Sequence, residues 1–410
     1  MNPTLEQLKL RGFFKQCSAL ENLSHLMDEG PITFYEGCDP TGASLHIGHM
    51  VPYFAFKHLC STGHTGIVLV GGGTARIGDP SGKTESRKML SYDQLDRNTA
   101  AITVQLTKFF GSDTNIIWAN NKAWLSNLNY IDFLRDIGSH FSVNRMLSFE
   151  TYKIRMETGL SFIEFNYQLL QSYDFLQLYK QYGCRLQIGG DDQWGNIVAG
   201  SDLIRRIEGT EVFGLTFPLI TTAEGKKMGK TEKGAIFLDP TLTTPYDFFQ
   251  YWRNIADQDI QRFLLMFTFL PVEECYAISA LDPNEAKERL AWELTALIHS
   301  KDDADKALDG ARAAFGKGGT IESIPQVLVP LTAFEQGYNA VDLFFHAGLV
   351  ATKSEGRRLI EQGGACIAKT SGAFIPITDP KTVIGTAYLA DDATLLLRAG
   401  KKQYRRICTR

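Results

Sequence analysis

Ile32-Thr33-Phe34-Tyr35-Glu36-Gly37-Cys38, Asp39-Pro40-Thr41-Gly42 and Ser44-Leu45-His46-Ile47-Gly48-His49-Met50 follow one another almost without a break. The first run is rich in aromatic and β-branched residues and predicts a short buried strand. The second is turn chemistry: an Asx residue, a proline that presets φ, and a glycine. A helix starting near Ser44 and running through Leu45, His46, His49 and Met50 places the two imidazoles three apart, on one face of its first turn. Unpaired N–H groups and partial positive charge at such a terminus suit phosphate. Gly48 leaves bare backbone for a flat base to lie against. Taken alone, the two histidines read equally as core or surface residues. Working outward, Gly66-Ile67-Val68-Leu69-Val70 is a second buried strand, followed by Gly71-Gly72-Gly73. Strand–helix–strand order around apolar strands indicates a parallel α/β sheet. The three glycines do not complete a dinucleotide fingerprint. Arg185-Leu186-Gln187-Ile188-Gly189 is a further strand, ending at a turn where sheet ligands bind.

A second string, Lys227-Met228-Gly229-Lys230-Thr231, lies in a stretch with little periodicity, two glycines and three lysines (221–231). A lysine-rich loop of this kind closes over a pyrophosphate and stabilises the charge that develops there; in isolation it reads as a solvated basic loop. Gly78-Asp79-Pro80-Ser81-Gly82-Lys83-Thr84, followed by Arg87, adds two more cations. Gly82-Lys83-Thr84 is not a phosphate-binding P-loop, because Ile77 stands where that motif needs glycine.

With these residues in view, the chain resembles the bacterial-type tyrosyl-tRNA synthetases, class I aminoacyl-tRNA synthetases whose HIGH and KMSKS signatures stand here as His46–His49 and Lys227–Thr231. The similarity covers essentially the whole chain. It includes Tyr35…Asp39-Pro40-Thr41, Gly78–Gly82, Phe141-Ser142-Val143-Asn144-Arg145, Gln171…Tyr173-Asp174 and Gly189-Gly190-Asp191-Asp192-Gln193-Trp194-Gly195-Asn196.

The resemblance implies activation of L-tyrosine with ATP and Mg2+ to tyrosyl-adenylate and pyrophosphate, then transfer to the terminal ribose of tRNA(Tyr). Neither step needs a protein nucleophile, so positioning and charge stabilisation carry the catalysis. By similarity, Thr41, His46, Lys83, Arg87, Lys227, Lys230 and Thr231 hold the pyrophosphate or γ-phosphate. His49, Asp192 and the close backbone of Gly48 and Gly190 lie at the nucleoside, and Asp39 and Gln193 at the aminoacyl and α-phosphate region. Tyr35 and Asp174 match positions that bind the substrate phenol; Asp79, Tyr167 and Gln171 match those that bind its ammonium. The spacing of Tyr167, Gln171 and Asp174 independently allows one helix face to present all three. A buried polar helix face is the plain alternative. Glu36 and Cys38 depart from the family pattern, Glu36 near the ribose and Cys38 behind the pocket.

The implied architecture is α/β: a Rossmann-like parallel-sheet catalytic domain over 1–225 with a dimer-forming helical insertion (about 118–185), and a lysine loop with an α-helical anticodon-recognition domain over 226–320. A linker over 321–339 and a small α+β RNA-binding domain over 340–410 complete it. Ser354–Gly364, with Arg357 and Arg358, resembles a small RNA-binding domain of a ribosomal protein. From Arg398 onward, six cations including Lys401, Lys402, Arg405 and Arg406 meet no acidic residue, and phosphate contact is expected there; a solvated tail is the alternative. The family is homodimeric. Phe141, Met146, Phe149, Tyr152, Ile154, Phe162 and Phe165 carry more apolar surface than a helix pair buries, which predicts a two-fold contact centred near Phe162. Intradomain core is the alternative there.

The remaining composition is that of an ordinary soluble protein, with 44% hydrophobic residues, 21% charged residues and a net charge of −4. Seven cysteines without C-x-x-C spacing argue against structural zinc or a disulfide framework. No apolar run approaches a membrane span and the start lacks a signal-peptide core, so a cytoplasmic location is expected. A tryptophanyl enzyme shares the motifs but lacks the C-terminal RNA domain and the Tyr35/Asp174 pair. A simple adenylyltransferase lacks the lysine loop. A degenerate synthetase that only binds RNA is disfavoured, because every catalytic position holds a competent residue.

Overall fold

The computed structural model describes residues 1–81, 90–112, 115–221, 225, 228, 230–231, 234–314, 321–369, 373–400 and 403–410. They form two compact units. One comprises Met1–Gly229, Phe237–Asp239 and Gln258–Ser279; the other comprises Lys230–Ile236, Pro240–Asp257 and Ala280–Arg410.

The first unit is built on a sheet of β1 (Gln16–Cys17), β2 (Thr33–Cys38), β3 (Thr65–Val70), β4 (Ile116–Asn120), β5 (Cys184–Gly190) and β6 (Phe213–Phe217), in the order β1-β6-β5-β2-β3-β4. All pairings are parallel except β1 with β6. Ile67, Val68, Leu186 and Ile188 are almost wholly buried, as parallel strands covered on both faces require. β2 lies between β3 and β5, so the order reverses beside it and a crevice opens at the carboxyl ends of β2 and β5. Between β4 and β5 runs a series of helices from Lys122 to Tyr182. Its last member, Phe162–Tyr182, is started by a Ser161/Glu164 capping box and stopped by Gly183 at φ 63°.

One boundary differs from the sequence reading. The helix does not start at Ser44: His46 is extended, a 3-10 turn covers Ile47–His49, and the α-helix runs Met50–Ser61. His46 Nδ1 accepts from the Gly48 N–H at 3.1 Å. The histidine therefore caps the helix entry and does not ride on its face.

In the second unit, helices Pro245–Arg253, Pro283–Ile298 and Lys301–Ala314 bury Phe248, Trp252, Leu290 and Leu294. Strands Ile375–Ile377, Ala365–Ala368, Thr394–Ala399, Gln403–Thr409 and Gln326–Val329 form a second sheet, in that order. Helices Ala340–His346 and Lys353–Glu361 share its core through Leu343, Phe344 and Ile360. Two expectations about boundaries change here. The connector expected over 321–339 contains Gln326–Val329, which pairs in parallel with Gln403–Thr409 and so belongs to the C-terminal sheet. Ile260–Phe267 and Val272–Ser279, expected with the helical region, group with the catalytic unit. There Arg11 donates to the carbonyls of Leu265 and Thr268, and Phe54 meets Phe267 and Phe269. Among the described residues no helix is long and apolar enough to cross a membrane.

Candidate active site

The chain leaves β2 at Asp39, leaves β3 at Gly71-Gly72-Gly73, leaves β4 at Asn121 and leaves β5 at Asp191-Asp192-Gln193. Strand ends and one helix face therefore converge on the crevice. Tyr167, Gln171 and Asp174 do share a face of Phe162–Tyr182, and each engages a different strand end. Tyr167 Oη donates to Asp39 Oδ2 at 2.9 Å. Gln171 exchanges amide hydrogen bonds with Gln193 and Asn196 at 3.3 and 3.0 Å. Asp174 accepts from Asn121 Nδ2 at 2.9 Å and from Trp124 Nε1 at 2.7 Å.

Tyr35 lies on β2 against the Phe175 ring, 1% exposed, and its hydroxyl has no hydrogen-bond partner among the described residues. Burial, then the nearby Asp174, holds its phenol proton well above the ordinary range. Burial likewise pushes the Asp174 carboxyl up to about 8, against the two donors that favour its charged form. Gln187 Oε1, on the paired β5 residue beside Tyr35, is a second buried polar atom without a partner among the described residues. Such groups are rarely left unmade in a native interior. Their presence at one end of a crevice marks a place for a polar ligand group.

At the other end, Asp79 Oδ1 accepts from the Ser81 N–H at 2.9 Å and Oδ2 accepts from Gln193 Nε2 at 2.8 Å. Asp192 lies beside Glu36, whose buried carboxyl is raised well above the usual range, first by burial and then by Asp192. A Cβ on Gly190 would fall 2.8 Å from Asp192 Oδ1. The bare face of Gly48 is covered by the His46 ring, whose Cε1 would lie 2.8 Å from an added Cβ. The His46 and His49 rings stack with centroids 3.9 Å apart, and His49 Nδ1 accepts from the His46 N–H. Both Nδ1 atoms act as acceptors, so each neutral ring carries its proton on Nε2. Thr41 is exposed, with its N–H on the Asp39 carbonyl.

The segment holding the lysine string is anchored at both ends in the first unit. Arg262 bonds the Thr221 carbonyl, Phe237 bridges His46, and Leu238 N–H donates to the Leu45 carbonyl. Lys230-Thr231 pairs with Gly234-Ala235 as a short hairpin in the second unit. Lys83, Arg87, Lys227, Lys401 and Lys402 lie outside the described residues.

In the C-terminal sheet, Arg357 and Arg358 are exposed on their helix. Arg405 and Arg406 are not part of a solvated tail: Arg405 pairs with Asp247 at 2.6 Å, and Arg406 with Asp392 at 3.3 Å. Phe162 is 72% exposed, whereas Met146 and Tyr152 from the same apolar stretch are buried in the intradomain core. Sequence reasoning missed Thr74, Asn121, Trp124 and Asn196. The signal for the first two was present, since each follows a strand of the parallel sheet at its carboxyl end.

Known proteins resemble the chain over nearly its whole length. A family model for class I tRNA synthetases (W and Y) matches residues 27–316, and one for the tyrosyl-tRNA synthetase C-terminal domain matches residues 323–409. The tyrosine–tRNA ligase of Treponema denticola is 63% identical, over 99% of both chains. That of Treponema pallidum is 57% identical, over 100% of this chain and 99% of its own. A C-terminally truncated mitochondrial tyrosyl-tRNA synthetase from Aspergillus nidulans superposes with a TM-score of 0.69 at 31% identity, covering 75% of this chain and 93% of that one. The chain therefore belongs to the class I tRNA synthetase family of the tryptophan and tyrosine enzymes, and it carries that family's tyrosyl-type C-terminal domain.

Proposed function

We infer that the chain is a tyrosine–tRNA ligase whose selectivity resides in the buried end of the crevice. It joins tyrosine to ATP as tyrosyl-adenylate, releasing pyrophosphate, and passes the tyrosyl group to the terminal ribose of tRNA(Tyr). The observation that carries the substrate assignment is the buried Tyr35 Oη, which meets no partner among the described residues, beside Asp174. A phenol accepts from Tyr35 Oη and gives its own proton to Asp174; phenylalanine leaves Tyr35 Oη buried and unpaired, at the full cost of its desolvation.

The remaining roles are those that the family resemblance assigns. Asp79, oriented by Ser81 and Gln193, receives the α-ammonium with Tyr167 and Gln171. Asp39 and Gln193 flank the carboxylate and α-phosphate. His49, Asp192 and the backbones of Gly48 and Gly190 take the nucleoside. Thr41 and the Nε2–H of His46 take the phosphates, and the resemblance assigns Lys83, Arg87, Lys227, Lys230 and Thr231 to phosphate binding as well. The magnesium ion travels with ATP as part of the substrate. The helical region of the second unit receives the anticodon arm, and exposed Arg357 and Arg358 bind tRNA phosphates, whereas Arg405 and Arg406 hold their strand in place through ion pairs. The enzyme works in the cytoplasm as a homodimer.

Tyrosine-dependent exchange of labelled pyrophosphate into ATP tests this reading, with tryptophan and phenylalanine as controls. Exchange with tyrosine alone is expected. Absence of exchange with every amino acid, in folded protein with Mg-ATP, would reject the adenylation chemistry.

A further inference from the structure

A continuous set of hydrogen bonds joins the two carboxylates at opposite ends of the tyrosine site. Thr74 Oγ1 donates to Asp39 Oδ1 at 2.6 Å. Asn121 Nδ2 donates both to Thr74 Oγ1 at 2.8 Å and to Asp174 Oδ2 at 2.9 Å. The Gly73 N–H donates to Asn121 Oδ1 at 2.7 Å, which fixes the way the amide faces. Outer contacts pin both ends: Tyr167 Oη on Asp39 Oδ2 and Trp124 Nε1 on Asp174 Oδ1.

The donor count is complete. One hydroxyl hydrogen and two amide hydrogens serve three acceptors, so none is wasted and none is in surplus. Thr74 and Asn121 are 2% and 1% exposed, and solvent cannot replace either of them. The chain makes room for the bridge at a cost in side chains. A Cβ on Gly71 would fall 2.0 Å from Asp39 Oδ1 and 2.5 Å from Thr74 Oγ1, and one on Gly73 would crowd Asn121 Oδ1 at 3.1 Å. The glycine run after β3, which the sequence left without a role, is what lets the bridge form.

We propose that Thr74, through Asn121, is a positioning residue that couples Asp39 at the reacting end of the site to Asp174 at the phenol end. The proposal rests on the reading that Asp174 receives the phenol. When a substrate hydroxyl occupies Asp174, it shares the lone pairs that Asn121 had been using. The Asn121 N–H then leans on Thr74, and the polarised Thr74 hydroxyl binds Asp39 more firmly. A substrate without the hydroxyl leaves Asp39 less well held, so discrimination appears in turnover as well as in binding.

The test uses the full chain, with kcat and KM measured separately for tyrosine and phenylalanine in pyrophosphate exchange. Thr74→Val keeps the shape and removes the hydroxyl. It is expected to lower kcat/KM for tyrosine by about tenfold or more, as loss of a hydrogen bond to a charged group does. Part of that loss falls in kcat; the loss for phenylalanine stays within about threefold, and KM for ATP is unchanged. Thr74→Ser restores both substrates. Equal losses on the two amino acids, no loss at all, or a serine variant as poor as valine would overturn the coupling. If Thr74→Val does not fold, Asn121→Ala is read by the same comparison. Asp174→Asn separates the two layers of argument. Should it leave tyrosine-over-phenylalanine preference intact, the phenol assignment itself fails. If it abolishes that preference while Thr74→Val does not reduce it, only the bridge fails.

Discussion

Glu36 shows how a single residue departs from its family without disabling the site. On sequence it was an extra carboxylate near a ribose. In the structure it is 8% exposed, its Oε2 has no partner among the described residues, and burial followed by Asp192 raises its pKa well above the usual value. Burial therefore makes this carboxyl hold its proton more firmly than an exposed one does. The sign of its stability contribution follows. A group whose folded pKa exceeds its unfolded value favours folding below the unfolded pKa, near 4.5, and that contribution is lost as pH rises towards the folded value. Glu36→Gln copies the protonated shape without the titration. The variant and parent are expected to melt together near pH 4.5, and the variant to melt higher by roughly 3 °C at pH 8. Thermal melts across that range decide it, and parallel melting curves at every pH would contradict the raised pKa. The resemblance singled out Tyr35, Asp39 and Asp174, and the structure brings them to one crevice. Thr74 and Asn121 were not legible, because their importance lies in contacts that only the sheet order creates.

At the scale of elements, what was legible had strong local patterning. β2, β3 and β5 stood out as apolar runs, and Phe162–Tyr182 by its spacing. The 3-10 entry before Met50 was hidden because its cap is a histidine, outside the usual capping residues. Gln326–Val329 was hidden because it is four residues between prolines, and its partner strand lies some eighty residues downstream. The long helix also relies on something no periodicity reveals. Arg155, 1% exposed, donates to both oxygens of Glu164 at 3.1 and 3.0 Å, to Thr158 Oγ1 and to the Gly159 carbonyl. Glu164 also closes the capping box with Ser161. This pair sets the corner from which Tyr167, Gln171 and Asp174 are presented. Glu164→Gln leaves the guanidinium buried without its counter-charge, which costs about 3 kcal/mol. Urea unfolding should register that loss, and KM for tyrosine should rise with it. Stability unchanged within 1 kcal/mol would show that the corner does not depend on the charge.

Across the whole molecule, the apolar content of 141–165 divides in two. Met146 and Tyr152 turn inward and complete the core of the first unit. Phe162, Val143, Met156, Ile154 and Ile163 remain 72%, 55%, 56%, 41% and 38% exposed. From these exposed apolar side chains we propose a contact between two copies of the chain. The Ser161/Glu164 capping box and the buried Arg155 fix the turn that presents Phe162, so this surface is preorganised, as a recurring interface should be. A self-complementary patch on identical chains pairs about a two-fold axis. Phe162 sits near its centre, at the first turn of the helix that carries Tyr167, Gln171 and Asp174, so pairing would brace the substrate helix from outside. Phe162→Asp puts a carboxylate at that centre and has no core to disrupt, because the parent side chain is exposed. Analytical ultracentrifugation at micromolar concentration is expected to find a dimer for the parent chain and a monomer for the variant, with circular dichroism unchanged. Tyrosine activation should fall with the loss of the dimer and return in part at high protein concentration. A variant that stays dimeric would move the two-fold contact elsewhere on the molecule, and the exposed apolar face would then need a different occupant.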